Sequence, residues 1–267
     1  MDRLRQLHDL VQSVLTDTCL TGTDARSLVA RRRSDALAAV DVDADLRTRI
    51  EAAPRSFVIR VTPEELAASA RLVAPVPRTE ESRVAVIEAG IDTWTVLVGA
   101  RDRQGLLAMV SGVLAAEGYD VRRAVIATWL DGVAVEAFEV RGAVRPDVDA
   151  LSAAVRTAFD ARLEAEPLPG ARVHFDDTSS PWHTICEVEA PDHPGLLHQL
   201  ATAFTAANVD VVAASIAEIG EDAVDTFELV QRDGDKLNEA DREAVRTHIE
   251  AGASLTRRRF RSGLVAR

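Results

Sequence analysis

At 267 residues the chain has room for two or three compact units, and 47% apolar against 28% charged residues is the balance of a folded globular protein, not of a disordered one. A net charge of -12, from 43 acidic and 31 basic residues, disfavours phosphate backbones and anionic lipid surfaces, so nucleic acid and membrane are set aside as partners.

The opening segment MDRLRQLHDL has no apolar core of the kind a secretory signal needs, and no later window approaches the ~18 consecutive apolar residues of a membrane span. A cytoplasmic location is the expectation, and Met1 leans toward a free-standing gene product. Cys19 and Cys186 lie far apart and form neither a disulfide framework nor a zinc pattern, which agrees with a reducing compartment. Apolar residues at steps of three and four (Leu4, Leu7, Val11, Val14 and Leu15, then Ala25, Leu28, Val29, Leu37 and Val40) predict helices over the first 80 residues. Thr62-Pro63-Glu64-Glu65 has the capping-box arrangement with proline at the first helical position, so a helix starts there. Ala74-Pro75-Val76-Pro77 ends it, and a domain boundary is placed at about residue 80.

Beyond that point the chain repeats itself. Asp102-Arg103-Gln104-Gly105-Leu106-Leu107 matches Asp192-His193-Pro194-Gly195-Leu196-Leu197 at an offset of 90, and the register continues through Leu114 with Phe204, Asp120 with Asp210 and Ala124 with Ala214. After a one-residue difference in a turn, Glu136-Ala137-Phe138-Glu139 aligns with Asp225-Thr226-Phe227-Glu228. Each copy reads as a strand (Trp94 to Ala100, Trp182 to Ala190), a helix ending at Gly118 or Asn208, and two strands. A second helix follows, from Pro146-Asp147 or Asn238, and then a last short strand (Arg172 to Phe175, Leu255 to Phe260). Asp131-Gly132 is a two-residue hairpin signal in the first copy; Gly220-Glu221-Asp222 replaces it in the second. The order βαββαβ is the ferredoxin-like split arrangement, an antiparallel sheet with both helices on one face, occurring twice. The uncovered edge and face that each copy leaves are relieved if the copies pair.

The chemistry sits in Asp-x-x-Gly-Leu-Leu between first strand and first helix. Glycine lets a ligand approach the backbone, and the amides of the helix start suit a carboxylate. Asp102 or Asp192 could then meet an α-ammonium. The simpler role for either aspartate is as a helix cap or turn residue, which leaves function with the backbone around Gly105 and Gly195.

The pattern of Asp-x-x-Gly-Leu-Leu, helix, small residue, Ala-x-Ile, hairpin and acidic-x-Phe resembles the ACT domain, a family of small regulatory βαββαβ modules. Two copies in this spacing, over about residues 84 to 260, are similar to the C-terminal pair of the bacterial PII uridylyltransferase/uridylyl-removing enzymes, in which the resemblance implies glutamine sensing. The second copy's Asp192-His193-Pro194-Gly195-Leu196-Leu197 stands close to that family's Asp-Arg-Pro-Gly-Leu-Leu, whereas the first copy has Gln104 in place of proline and a less constrained loop. Pro54 to Glu65 resembles the segment joining the catalytic part of those enzymes to their ACT pair.

No Gly-Ser loop followed by Asp-x-Asp, no phosphate-binding loop and no nucleophile elbow occurs, so no catalytic residues are assigned and no enzyme is expected. His8-Asp9 stands alone, and His193 and His198 are five apart, so no metal and no cofactor are expected. The basic run from Arg257 to Arg261 reads as a solvated strand.

The expectation is an α+β chain with a helical region at 1–80 and ACT modules at 81–180 and 181–267. It senses an amino acid effector, glutamine first, through Asp192, Pro194, Gly195 and Leu196, then Asp102, Gly105 and Leu106, with Ala214 and Ser215 on the facing strand. A partner protein and homodimerisation remain open. The alternatives are a ligand-free interaction module, or the C-terminal regulatory part of a uridylyltransferase-like enzyme; an enzyme active in residues 1–80 is disfavoured by that segment's length and its few His, Asp and Gly clusters.

Overall fold

The computed structural model describes residues 22–39, 43–219 and 222–255. The stripe from Leu4 to Leu15, Val40, Cys19, His8-Asp9, Gly220-Glu221 and the run from Arg257 to Arg261 lie outside these residues. Among the described residues four helices come first: α1 (Gly22–Ala38), α2 (Ala44–Ala52), α3 (Arg55–Arg60) and α4 (Pro63–Leu72). The Thr62 side chain accepts from the Glu65 amide at 3.1 Å and the Glu65 carboxylate accepts from the Thr62 amide at 2.7 Å. This is the reciprocal box the sequence implied, with Pro63 opening the helix where its missing N–H costs nothing.

Ile50, Phe57, Val58, Leu66 and Ala70 turn their fully buried side chains onto Leu97, Val125, Val135 and Ala137, the face of the first copy's sheet that its own helices leave bare. Phe57 meets Trp129 edge to face, with ring centres 5.3 Å apart, a geometry worth about 0.5–1.5 kcal/mol beyond burial.

The first copy contains β1 (Ser82–Gly90), β2 (Thr93–Arg101), α5 (Leu106–Ala116), β3 (Asp120–Thr128), β4 (Val133–Arg141), α6 (Val148–Ala158) and β5 (Leu163–Ala165). The second contains β6 (Arg172–Asp176), β7 (Thr184–Pro191), α7 (Leu196–Ala206), β8 (Val209–Ser215), β9 (Glu218–Ile219), β10 (Asp222–Gln231), α8 (Glu239–Ala251) and β11 (Ala253–Leu255). All but β5 and β11 form one antiparallel sheet in the order β1-β2-β4-β3-β8-β10-β7-β6, with β9 beside β10. Gly118 (φ 80°) and Asn208 (φ 61°) take the left-handed turn after α5 and α7, as their positions predicted, and Gly132 (φ 75°) closes the β3–β4 hairpin.

One assignment differs. The strand at Arg172 does not close the first copy; it pairs with β7, Val173 opposite Val188 and Phe175 opposite Cys186. β1, which the sequence pattern did not reveal, fills the same edge position beside β2. Each copy keeps the ferredoxin-like sheet and helices but takes its outer strand from the N-terminal side. The physical reason is reach: a strand just ahead of the first strand joins it through a short connection, as at Ile91-Asp92 between β1 and β2. The true terminal strands, β5 and β11, pair with each other, Leu163 opposite Leu255.

The sheets meet at β3 and β8, and α5 and α7 pack together above that line. Gly112 makes the close approach feasible, because a Cβ there would sit 2.8 Å from His198 Nδ1, which in turn lies 2.6 Å from the Ala108 carbonyl oxygen. The main core, including Phe138, Phe159, Phe204 and Phe227, runs through both copies.

Candidate functional site

Both Asp-x-x-Gly-Leu-Leu loops lead into an eleven-residue helix whose N-cap is the glycine itself, Gly105 at φ 79° and Gly195 at φ 89°. Neither helix start has a side-chain cap, which corrects the capping role expected for the aspartates. The turn is closed by main chain instead: the Leu106 amide donates to the Arg103 carbonyl at 3.2 Å and the Leu196 amide to the His193 carbonyl at 3.1 Å. Asp102 and Asp192 are left exposed.

The two corners are not equally open. A Cβ on Gly105 would lie 2.5 Å from Leu163 Cδ1, so the missing side chain makes room for packing; at Gly195 the nearest atom is Ala115 Cβ, 3.9 Å away. Gln104 reaches the other copy, donating to the Thr205 carbonyl at 3.3 Å.

Beside each corner lies a cavity walled by both copies. The larger, about 560 Å³, holds Asp102, Gly105, Leu106 and Glu136 of the first copy with Thr205 and Asp210 of the second. The smaller, about 210 Å³, holds Asp192, Pro194, Gly195 and Asp225 of the second copy with Tyr119 and Asp120 of the first. The offset of the repeat maps the loop aspartates, the aspartates opening β3 and β8, and the third-strand acids onto one another.

Glu136 and Asp225 stand out by burial, each 1% exposed, and by lacking partners: Glu136 Oε2 and both Asp225 carboxylate oxygens make no hydrogen bond. They sit mid-strand on the helix-facing side, Glu136 between Val98 and Ile126, Asp225 opposite Val188. Burial pushes the Glu136 carboxyl up to about 8, with Asp102 adding to the rise. Asp225 is pushed up to about 8, chiefly by burial and then by Asp192; the Ala217 main chain nearby pulls the other way but does not reach hydrogen-bonding geometry. Asp210 is also raised, by desolvation first, with Arg232 opposing.

Of the residues expected in a site, Asp192, Pro194, Gly195 and Leu196 come together in the smaller cavity, and Asp102, Gly105 and Leu106 in the larger. Ala214 and Ser215 line neither. They lie on the β3–β8 junction, opposite Ala124 and Arg123. Sequence reasoning did not single out Glu136 and Asp225 as site residues, although they are the acidic members of the acidic-x-Phe motif. The signal was there: Glu136 and Phe138, like Asp225 and Phe227, are two apart on a strand and therefore share the buried face. Among the described residues no group of three His, Cys, Asp or Glu is arranged to hold a metal.

Residues 184–246 match the ACT domain family. Among curated proteins, the bifunctional uridylyltransferase/uridylyl-removing enzyme of Azospirillum brasilense is 27% identical over 84% of this chain and 27% of its own length. Those of Gluconobacter oxydans (31% identity, 52% of this chain, 17% of that protein) and Novosphingobium aromaticivorans (33%, 58% and 19%) also match. Among solved structures, aspartate kinase from Synechocystis aligns with a TM-score of 0.36 and 20% identity over 72% of this chain and 33% of that one, too low a likeness to bear on function. The chain therefore carries an ACT domain in a repeat whose first copy shares its topology, and it resembles the bifunctional uridylyltransferase/uridylyl-removing enzymes while spanning about a quarter or less of their length.

Proposed function

We propose that the chain is a non-catalytic regulatory protein of the cytoplasm that senses a small amino acid, with glutamine the first candidate, through its paired ACT modules. The observation that carries this reading is the pair of repeat-related cavities, each joining one copy's glycine corner to the other copy's helix and strand. A ligand there touches both copies at once, so its binding energy depends on how they are placed and it favours one arrangement over another.

In this reading the amides at the start of α5 or α7 face an α-carboxylate, helped by the positive end of the helix dipole. The more open Gly195 corner makes the second loop, with Asp192, Pro194, Gly195 and Leu196, the stronger of the two; Asp102, Gly105 and Leu106 serve the first. In this reading the functional units are a helical region and two modules, and the pairing of β6 with β7 supports counting Arg172–Asp176 with the second.

Titration calorimetry of the full chain with each of the twenty protein amino acids tests the reading. Saturable heat from glutamine or another neutral amino acid supports it, and silence from all twenty at millimolar concentration removes it.

A second reading, a module that only holds a partner protein, draws on the first corner, where Leu163 fills the space beside Gly105. The resemblance to uridylyltransferases names the partner to try, an enzyme or target of uridylyl transfer. Co-purification that ignores amino acids would favour this reading.

A further inference from the structure

Two carboxyls at matching positions of a repeat are both buried, and Glu136 Oε2 and both Asp225 oxygens lack a hydrogen-bond partner. Leaving one such group without a hydrogen bond is costly, and the sequence does it twice. The other acids of each cavity sit at its exposed rim, and two of them have cationic neighbours: Asp120 pairs with Arg122 at 2.6 Å, and Asp210 has Arg232 close by. Among the described residues neither floor acid is in an ion pair, although Arg103 and Arg232 line the larger cavity with Glu136. Each is held in a sheet and lines a cavity that also contains the glycine corner of its own copy.

What would satisfy such a floor is a compact donor bearing positive charge. A second negative charge is disfavoured by Asp192 and Asp120 in the smaller cavity and by Asp102 and Asp210 in the larger, where Arg103 and Arg232 offset part of that repulsion. A metal ion lacks its ligand group among the described residues. A primary ammonium has three N–H donors and makes short, charge-assisted bonds to carboxylate, while the helix start a few residues away suits the opposite end of a zwitterion.

We infer that Glu136 and Asp225 are the ammonium-binding residues of two equivalent ligand sites per chain, and that the ligand class is a small amine with no net negative charge, a neutral α-amino acid above all. This rests on the sensor reading above and deepens it. The ammonium end goes to the buried floor and not to Asp102 or Asp192, which remain at the rim. Acidic amino acids are discriminated against, because their second carboxylate meets the rim aspartates.

Calorimetry with glutamine, glutamate and N-acetylglutamine separates the outcomes. Should another of the twenty amino acids be the one that binds, its N-acetyl derivative replaces N-acetylglutamine. The wild-type chain is expected to bind two equivalents of the free amino acid, and both glutamate and the N-acetyl derivative, which has no ammonium, are expected to bind at least tenfold more weakly. Glu136→Gln and Asp225→Asn should each weaken one of the two sites at least tenfold while the chain still melts cooperatively. Folded variants that bind as the wild type does, or an N-acetyl derivative that binds as tightly as its parent, would overturn the inference and leave the sensor reading standing. The comparison of free and acetylated ligand needs no variant. Absence of heat from all twenty amino acids would instead remove the sensor reading, and this inference with it.

Discussion

Ala124 and Ala214, equivalent residues of the two copies, pair directly with each other across the β3–β8 line, so the local two-fold relationship between the copies passes through them. Ala214 also pairs with Phe227, which puts it in the middle of the ladder. Proline in a central strand removes a ladder donor and costs about 3 kcal/mol or more, by analogy with its effect inside a helix. Ala214→Pro should lower the melting temperature and speed amide exchange in β3 as well as β8. Exchange in β3 that stays at the wild-type rate would show that the two sheets are not mechanically joined.

Glu136 and Asp225 predict a pH dependence of stability. Both carboxyls are raised in the folded chain to about 8, from ordinary values of 4.5 and 3.8, so between those limits the folded state holds protons that the unfolded state has released. Stability therefore falls as pH rises through this window and levels off above about 8. Glu136→Gln and Asp225→Asn remove the penalty, and each variant should gain on the order of a few kcal/mol relative to wild type between pH 5 and pH 8.5. Urea unfolding at the two pH values measures it; a gain that does not change with pH would mean the carboxyls are not held protonated.

Arg60, at the end of α3, lies 2.6 Å from Glu228 in β10, and His183 Nδ1 lies 2.7 Å from the same carboxylate oxygen. Desolvation alone would raise the Glu228 carboxyl, yet the His183 imidazole and the Arg60 guanidinium beside it bring it below its ordinary value. Arg60→Ala leaves a buried carboxylate short of its main cation and should cost about 3–5 kcal/mol. The double variant Arg60→Ala/Glu228→Gln should recover part of that loss. A double-mutant cycle with no coupling would show that the pair does not fasten the helical region to the second copy.

The two loop glycines should respond differently to alanine. Both need the left-handed conformation, which costs a residue with a side chain about 1–2 kcal/mol. Gly105→Ala also drives a methyl into Leu163, whereas Gly195→Ala meets nothing closer than 3.9 Å. Thermal melts should show the larger loss for Gly105→Ala, by about 1 kcal/mol or more of overpacking strain. Equal losses would place Leu163 elsewhere in solution.

Much of this fold is legible in the sequence because repetition supplies its own check: the offset of 90, which becomes 89 after the hairpin turn, aligns loops, helices and third strands from the residues alone. The Thr62 box and the turns at Gly118, Asn208 and Asp131-Gly132 follow from local stereochemistry. The partner of a short strand does not. Nothing local in Arg172–Asp176 says whether it turns back to the helix before it or on to the strand after it; only the same offset, laid over Ser82–Val86, marks β1 and β6 as equivalents. For the cavities, the loop glycines are readable from conformational need, whereas Glu136 escapes sequence reasoning because a strand acid is ordinarily a solvent-facing residue. Ala214 and Ser215 do stand on a facing strand, but what they face is Ala124 and Arg123.

The pairing of β5 with β11 has a consequence for dissection of the molecule. Among the described residues the last strand of one copy is the only strand partner of the last strand of the other, while β3 and β8 cover each other's flanks. Severing the chain between residues 166 and 171 would strip hydrogen-bonding partners from both fragments at two separate places and split each cavity into an open trough. The pair is thus an indivisible unit: truncation, domain exchange or grafting preserves its recognition surface only when both repeats travel together.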